Sequence, residues 1–195
     1  VLQINFRGSG GFGKNLLNAG LKTWGSDIQH DIIDATKYAI EEGMVDGNRI
    51  CIYGGSFGGY SALMAPLIEP ELFKCAAGFV GVYDLPYLYE SGDIPLRKSG
   101  IGFLERAIGR DQAQLRAFSP VYRASELNLP IMIIHGEEDP RAPVEHAYAM
   151  MNALDAANKP YRKLMFKKEG HGLYDPAARN DMYKQLVAFF SEHLL

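Results

Sequence analysis

The chain has 195 residues, 47% of them apolar and 22% charged, and carries a net charge of -3. That length supports one domain with a substantial core, and the composition is that of an ordinary globular chain. No basic stripe points to nucleic acid and no apolar run approaches a bilayer span, so neither nucleic acid nor a membrane is an expected partner.

In chain order, Val1–Phe6 (VLQINF) reads as an apolar strand, followed by a glycine-rich turn over Arg7–Gly13. A chain that opens inside a core strand, with no leading polar segment, is expected to be part of a longer protein. Compartment, cytoplasmic or periplasmic, is then unknown, because a targeting signal would lie upstream of Val1. Asp27–Glu42 has helical spacing, with Ile28, Ile32, Ala35 and Ala39 on one face and Gly43 suited to the C-cap. Arg49–Tyr53 is a short apolar strand, Ser56–Ile68 a helix stopping near Pro70, and Cys75–Val80 a third strand. The long irregular stretch Asp84–Arg116 holds at least one helix around Phe103–Ile108. Ile131–His135 is a fourth strand, Val144–Ala157 an amphipathic helix and Arg162–Phe166 a fifth strand. Pro176–Leu194 closes the chain as a helix, with Pro176 in its first turn. The two cysteines, Cys51 and Cys75, each sit in a strand-like run and read as reduced core thiols.

Strands separated by helices imply parallel βαβ units and a mostly parallel sheet flanked by helices, one α/β domain over residues 1–195. Within it, Gly54-Gly55-Ser56-Phe57-Gly58 fits G-x-S-x-G. Alone that pattern is weak, but an apolar strand precedes it and a helix follows at once, the setting of a nucleophile elbow. There the serine hydroxyl stands clear of the sheet at a helix N-terminus, which favours negative charge. The Phe57 N–H is placed to donate to the oxyanion of a tetrahedral intermediate.

A serine hydroxyl needs a base. Of the five histidines, His30 lies within a helix, His146 in the first turn of one and His193 near the C-terminus, while His135 ends a strand. His171 lies in a loop between the fifth strand and the last helix, at the carboxyl end of a parallel strand, where such sheets place their chemistry. The third member, which orients the imidazole, lies on the loop after the fourth strand; pattern alone leaves Glu137, Glu138 and Asp139 open. The order Ser56, acid, His171 is that of an α/β-hydrolase.

Several segments together resemble the catalytic domain of the prolyl oligopeptidase family of serine peptidases. Asn5-Phe6-Arg7-Gly8-Ser9 with Gly11-Phe12-Gly13 is similar to its N-Y-R-G-S-x-G-Y-G segment, and Trp24-Gly25 with Asp27 and Asp31 to its next one. Gly54-Gly55-Ser56-Phe57-Gly58-Gly59-Tyr60 matches G-G-S-x-G-G-Y, His135-Gly136-Glu137-Glu138-Asp139 with Pro143 resembles H-G-x-x-D-x-x-V-P, and Gly170-His171 resembles the terminal G-H. The resemblance covers essentially the whole chain and selects Asp139 as the acid. It implies an N-terminally truncated α/β-hydrolase fold without cofactor or metal, acting on short peptides. Phe57 would be one oxyanion donor, with a second on an upstream loop, so turnover by these residues alone should be weak. It also implies that Arg141 contacts a substrate carbonyl and that Val82 and Tyr83 help line the pocket beside the scissile bond. Upstream strands and a β-propeller, usual in the family, are missing here. A strand would then be lacking between Val1–Phe6 and Arg49–Tyr53, an exposed edge that invites a homo-oligomer. An esterase of the same fold, or a catalytically incomplete fragment with a binding role, are the alternatives.

Overall fold

The computed structural model describes residues 1–195. Its centre is a four-stranded, wholly parallel sheet in the order β1 (Cys51–Gly55), β2 (Cys75–Phe79), β3 (Ile131–Gly136), β4 (Tyr161–Phe166). The helices are α1 (Lys14–Ala19), α2 (Asp27–Glu41), α3 (Phe57–Ile68), α4 (Lys98–Ala107), α5 (Gln112–Ala117), α6 (Glu145–Ala156) and α7 (Pro176–Leu194), with 3₁₀ turns at Pro86–Tyr89 and Pro120–Glu126. No helix is long and apolar enough to cross a membrane.

The alternation of side chains along a strand sorts the core into two layers. Ala76, Ile131 and Ile133 face one side, where they meet Tyr60, Leu63 and Met64 of α3 and Ala147, Met150 and Leu154 of α6. Cys75, Ala77, Met132 and Ile134 face the other, against Met182, Leu186 and Phe189 of α7. The two central strands are buried on both faces, which is why they read as unbroken apolar runs. α2 packs across α3 through Ile33 and Ala65, with Leu72 and Phe73.

Two expectations are corrected. Val1–Phe6 forms no strand: β1 is hydrogen-bonded to β2 alone, no strand lies beside Val1–Phe6, and apolar alternation without a ladder partner does not make one. The segment that follows is held instead by Arg7, whose guanidinium and backbone N–H both donate to Asp31, with Asp27 as a further acceptor. Cys51 and Cys75 are joined in a disulfide rather than reduced. The parallel register sets the two residues directly opposite one another, 4.7 Å apart at Cα, within bridging range. Inter-strand register is not visible from two isolated cysteines.

Candidate active site

β1 delivers the chain to Ser56, which adopts φ 56° and ψ -117° as the N-cap of α3. A non-glycine residue held there is strained, and the surroundings hold it. The Ser56 N–H donates to the Phe79 carbonyl at the end of β2 (2.8 Å), and the Ser56 carbonyl accepts the first bond of α3 from the Tyr60 N–H (3.1 Å). The turn closes because Gly54 lacks a side chain: a Cβ there would stand 2.3 Å from the Gly58 carbonyl carbon. A Cβ on Gly58 itself would meet nothing within 4 Å. Gly59 fits against the Phe79 carbonyl and Gly81, so the helix start lies directly on the strand end. Tyr60 packs beneath the elbow, fully buried, and its hydroxyl donates to the Phe118 carbonyl (2.8 Å). The Phe57 ring lies among Phe6, Trp24 and Tyr60. Its N–H, at the first position of α3, has no acceptor within the helix.

The acid comes from the turn after β3. Asp139 is 6% exposed. Its Oδ1 accepts the N–H groups of Arg141 (2.9 Å) and Ala142 (3.0 Å), and its Oδ2 accepts Nδ1–H of His171 (2.8 Å). Burial works against the charged form, but the bonds from His171 and from these two backbone N–H groups outweigh it and hold the carboxyl below its usual range. Glu137 and Glu138 use their backbone N–H groups on the Phe166 and Glu169 carbonyls, which zips the acid turn to the loop after β4. That contact needs Gly136, where a Cβ would fall 2.3 Å from the Gly170 carbonyl oxygen.

His171 occupies the loop between β4 and α7, and its Nε2 accepts the Ser56 hydroxyl at 2.9 Å. Three residues from three loops, 115 and 32 positions apart, thus form one chain of hydrogen bonds: Ser56 to His171 to Asp139. The imidazole is a quarter exposed, so the hydroxyl end faces solvent while the carboxylate end is sealed. Glu169, which no sequence motif singles out, is 7% exposed, and its carboxylate accepts the N–H groups of Tyr174 (2.7 Å) and Asp175 (3.0 Å). It staples the two ends of the His171 loop together. The one trace it leaves in the sequence is a carboxylate directly before Gly170-His171.

The remaining candidates fall in two places. The Arg141 guanidinium is exposed and donates to Asp93 Oδ2 through Nε (3.1 Å) and Nη2 (2.9 Å), on the wall of an open cleft of about 480 Å³ with Ile94, Leu96 and Phe103. Val82 and Tyr83 belong to the main core cluster; Tyr83 has no exposed surface and its hydroxyl lies over Gly78 and Gly81. A larger cleft, about 600 Å³, lies at the opposite ends of β3 and β4, around Pro130, Lys159, Arg162 and His193, and contains no member of the hydrogen-bonded chain. His30 is exposed on α2 and His193 meets the Phe189 ring edge to face, while His135 and His146 are fully buried.

The sequence profile of the prolyl oligopeptidase family matches residues 1–195. The chain is 34% identical to dipeptidyl peptidase family member 6 of Caenorhabditis elegans, over 100% of this chain and 27% of that protein. It is also 34% identical to dipeptidyl aminopeptidase BIII of Pseudoxanthomonas mexicana, over 90% of this chain and 26% of that protein. Among solved structures, a Mycobacterium tuberculosis puromycin-hydrolyzing peptidase superposes with a TM-score of 0.90 at 26% identity, covering 97% of this chain and 29% of that one. Pyrococcus horikoshii acylaminoacyl peptidase gives 0.88 at 28% identity, covering 97% and 31%. The chain therefore spans between a quarter and a third of the length of these relatives.

Proposed function

This chain belongs to the prolyl oligopeptidase family, and from that premise we propose that it carries the hydrolytic centre of a serine peptidase acting on short peptides. The observation that carries the reading is the continuous hydrogen-bonded path from the Ser56 hydroxyl through His171 to the buried Asp139 carboxylate.

In this reading His171 Nε2 takes the hydroxyl proton as Ser56 Oγ attacks the peptide carbonyl. Asp139 keeps the proton of the resting imidazole on Nδ1 and stabilises the imidazolium that forms, without itself becoming protonated. The Phe57 N–H donates to the oxyanion at the start of α3, where the helix dipole adds to it. His171 then returns its proton to the leaving amine, and water, deprotonated by the same imidazole, clears the acyl group from Ser56. Arg141, exposed on the cleft wall beside the acid turn, is the group proposed to meet a carbonyl of the bound peptide. Val82 and Tyr83 are proposed to shape the floor of the adjoining pocket from within the core.

A pair of assays tests the reading. An aminoacyl-p-nitroanilide and a p-nitrophenyl ester are offered in parallel to the wild type and to Ser56→Ala. A peptidase cleaves the anilide, and Ser56→Ala abolishes that cleavage. Cleavage of the ester alone would make the centre an esterase, and anilide cleavage that survives Ser56→Ala would place the chemistry elsewhere.

A further inference from the structure

Behind the acid turn lie two imidazoles that the mechanism does not use. His135 ends β3 and His146 lies in the first turn of α6, and both have no exposed surface. His135 Nε2 is 2.8 Å from the Ala142 carbonyl oxygen, which can only accept, so Nε2 carries the ring's proton and Nδ1 offers a lone pair. His146 Nδ1 accepts the Asp84 N–H (3.3 Å), so its proton sits on Nε2. The nitrogens left over, Nδ1 of His135 and Nε2–H of His146, are both buried and have no other partner. One is an acceptor and the other a donor. Burial, together with the repulsion between the two rings, keeps His146 neutral by pushing it down to about 4, and burial also lowers His135.

The placement of His135 matters because of what Ala142 does. The Ala142 N–H grips Asp139 Oδ1, while its carbonyl is gripped by His135. The same His135 Nε2 lies 3.6 Å from Asp139 Oδ2, the oxygen that receives His171. We propose that His135 is a positioning residue for Asp139: with its proton kept on Nε2 by the Ala142 carbonyl, it fixes the Asp139–Ala142 turn and presents an N–H dipole to the carboxylate oxygen that orients His171. This rests on the serine-hydrolase reading of Ser56, His171 and Asp139.

The test is the second-order rate at which a fluorophosphonate labels Ser56, followed by intact mass in wild type, His135→Leu and His135→Gln. Each rate is scaled to the folded fraction from circular dichroism. Gln can place an amide N–H near the position of Nε2, whereas Leu fills the space without a donor. A hydrogen bond to a neutral acceptor is worth roughly a two- to tenfold effect, so His135→Leu should label about two- to tenfold slower and His135→Gln should recover most of that loss. A purely space-filling His135 would leave the scaled rates equal, and equal rates, or a Gln variant as slow as Leu, overturn the proposal. Absence of labelling in the wild type would instead overturn the hydrolase reading. Nitrogen-15 spectra of the wild-type histidines give a second readout, which needs neither activity nor the Leu variant to fold. A proton on Nε2 of both His135 and His146 at neutral pH supports the proposal, and a proton on His135 Nδ1 refutes it.

Discussion

At Ser56 the chain accepts a positive φ to lift a hydroxyl off the sheet, and the glycines around it share the cost unevenly. The motif reads symmetrically in sequence, but of its two outer glycines, Gly54 and Gly58, only Gly54 faces a backbone too close for a Cβ. Gly54→Ala should therefore lose about 1–3 kcal/mol of stability from overpacking and displace the elbow, while Gly58→Ala, inside α3 with open space at its Cβ, should unfold at or slightly above the wild-type midpoint. Equal midpoints for both variants in urea titrations would show that the turn is not closed by this contact. Ser56, His171 and Phe57 were legible as candidates, from a strand-turn-helix and a loop. Among Glu137, Glu138 and Asp139 the pattern was silent, because all three lie on the same loop. What separates them is direction: Asp139 turns inward onto two backbone N–H groups and His171, whereas the other two tie their backbones to the β4 loop.

Among elements, the ones that carry strong periodicity were visible in sequence. α7 lies at Pro176–Leu194 as its pattern implies, and α3, β2, β3 and α6 differ from expectation only at their ends. α1 was missed because none of its residues is buried, so no apolar stripe marks it, and α5 is a six-residue helix with one buried side chain, Leu115. The loop elements that bring the site together left less trace. Glu169 holds the His171 loop through two charge-assisted bonds to backbone N–H groups, each worth about 1.5–3 kcal/mol. Glu169→Ala should slow fluorophosphonate labelling of Ser56 and raise hydrogen exchange at Tyr174 and Asp175, with the exchange of β2 and β3 unchanged. Unaltered exchange at those two amides would show that the loop is held by something else.

For the whole molecule, the order of strands follows the order of the chain, and each of the three site residues leaves the sheet at the carboxyl end of a different strand. This is how parallel topology gathers residues 115 positions apart. The disulfide adds a covalent tie between β1, an edge strand leading to Ser56, and the buried β2. Closing a link of 24 residues restricts the unfolded chain enough to add ~3 kcal/mol. Reduction under non-denaturing conditions should lower the urea midpoint accordingly, and an unchanged midpoint would show that the tie contributes nothing. The convergence of the three loops is tested most directly by locating a covalent adduct. After fluorophosphonate treatment, peptide mass spectrometry should find the phosphonyl group on Ser56, absent in Ser56→Ala and strongly reduced in His171→Ala and Asp139→Asn with Ser56 still present. An adduct on another residue, or full labelling of Ser56 without His171, would contradict the account.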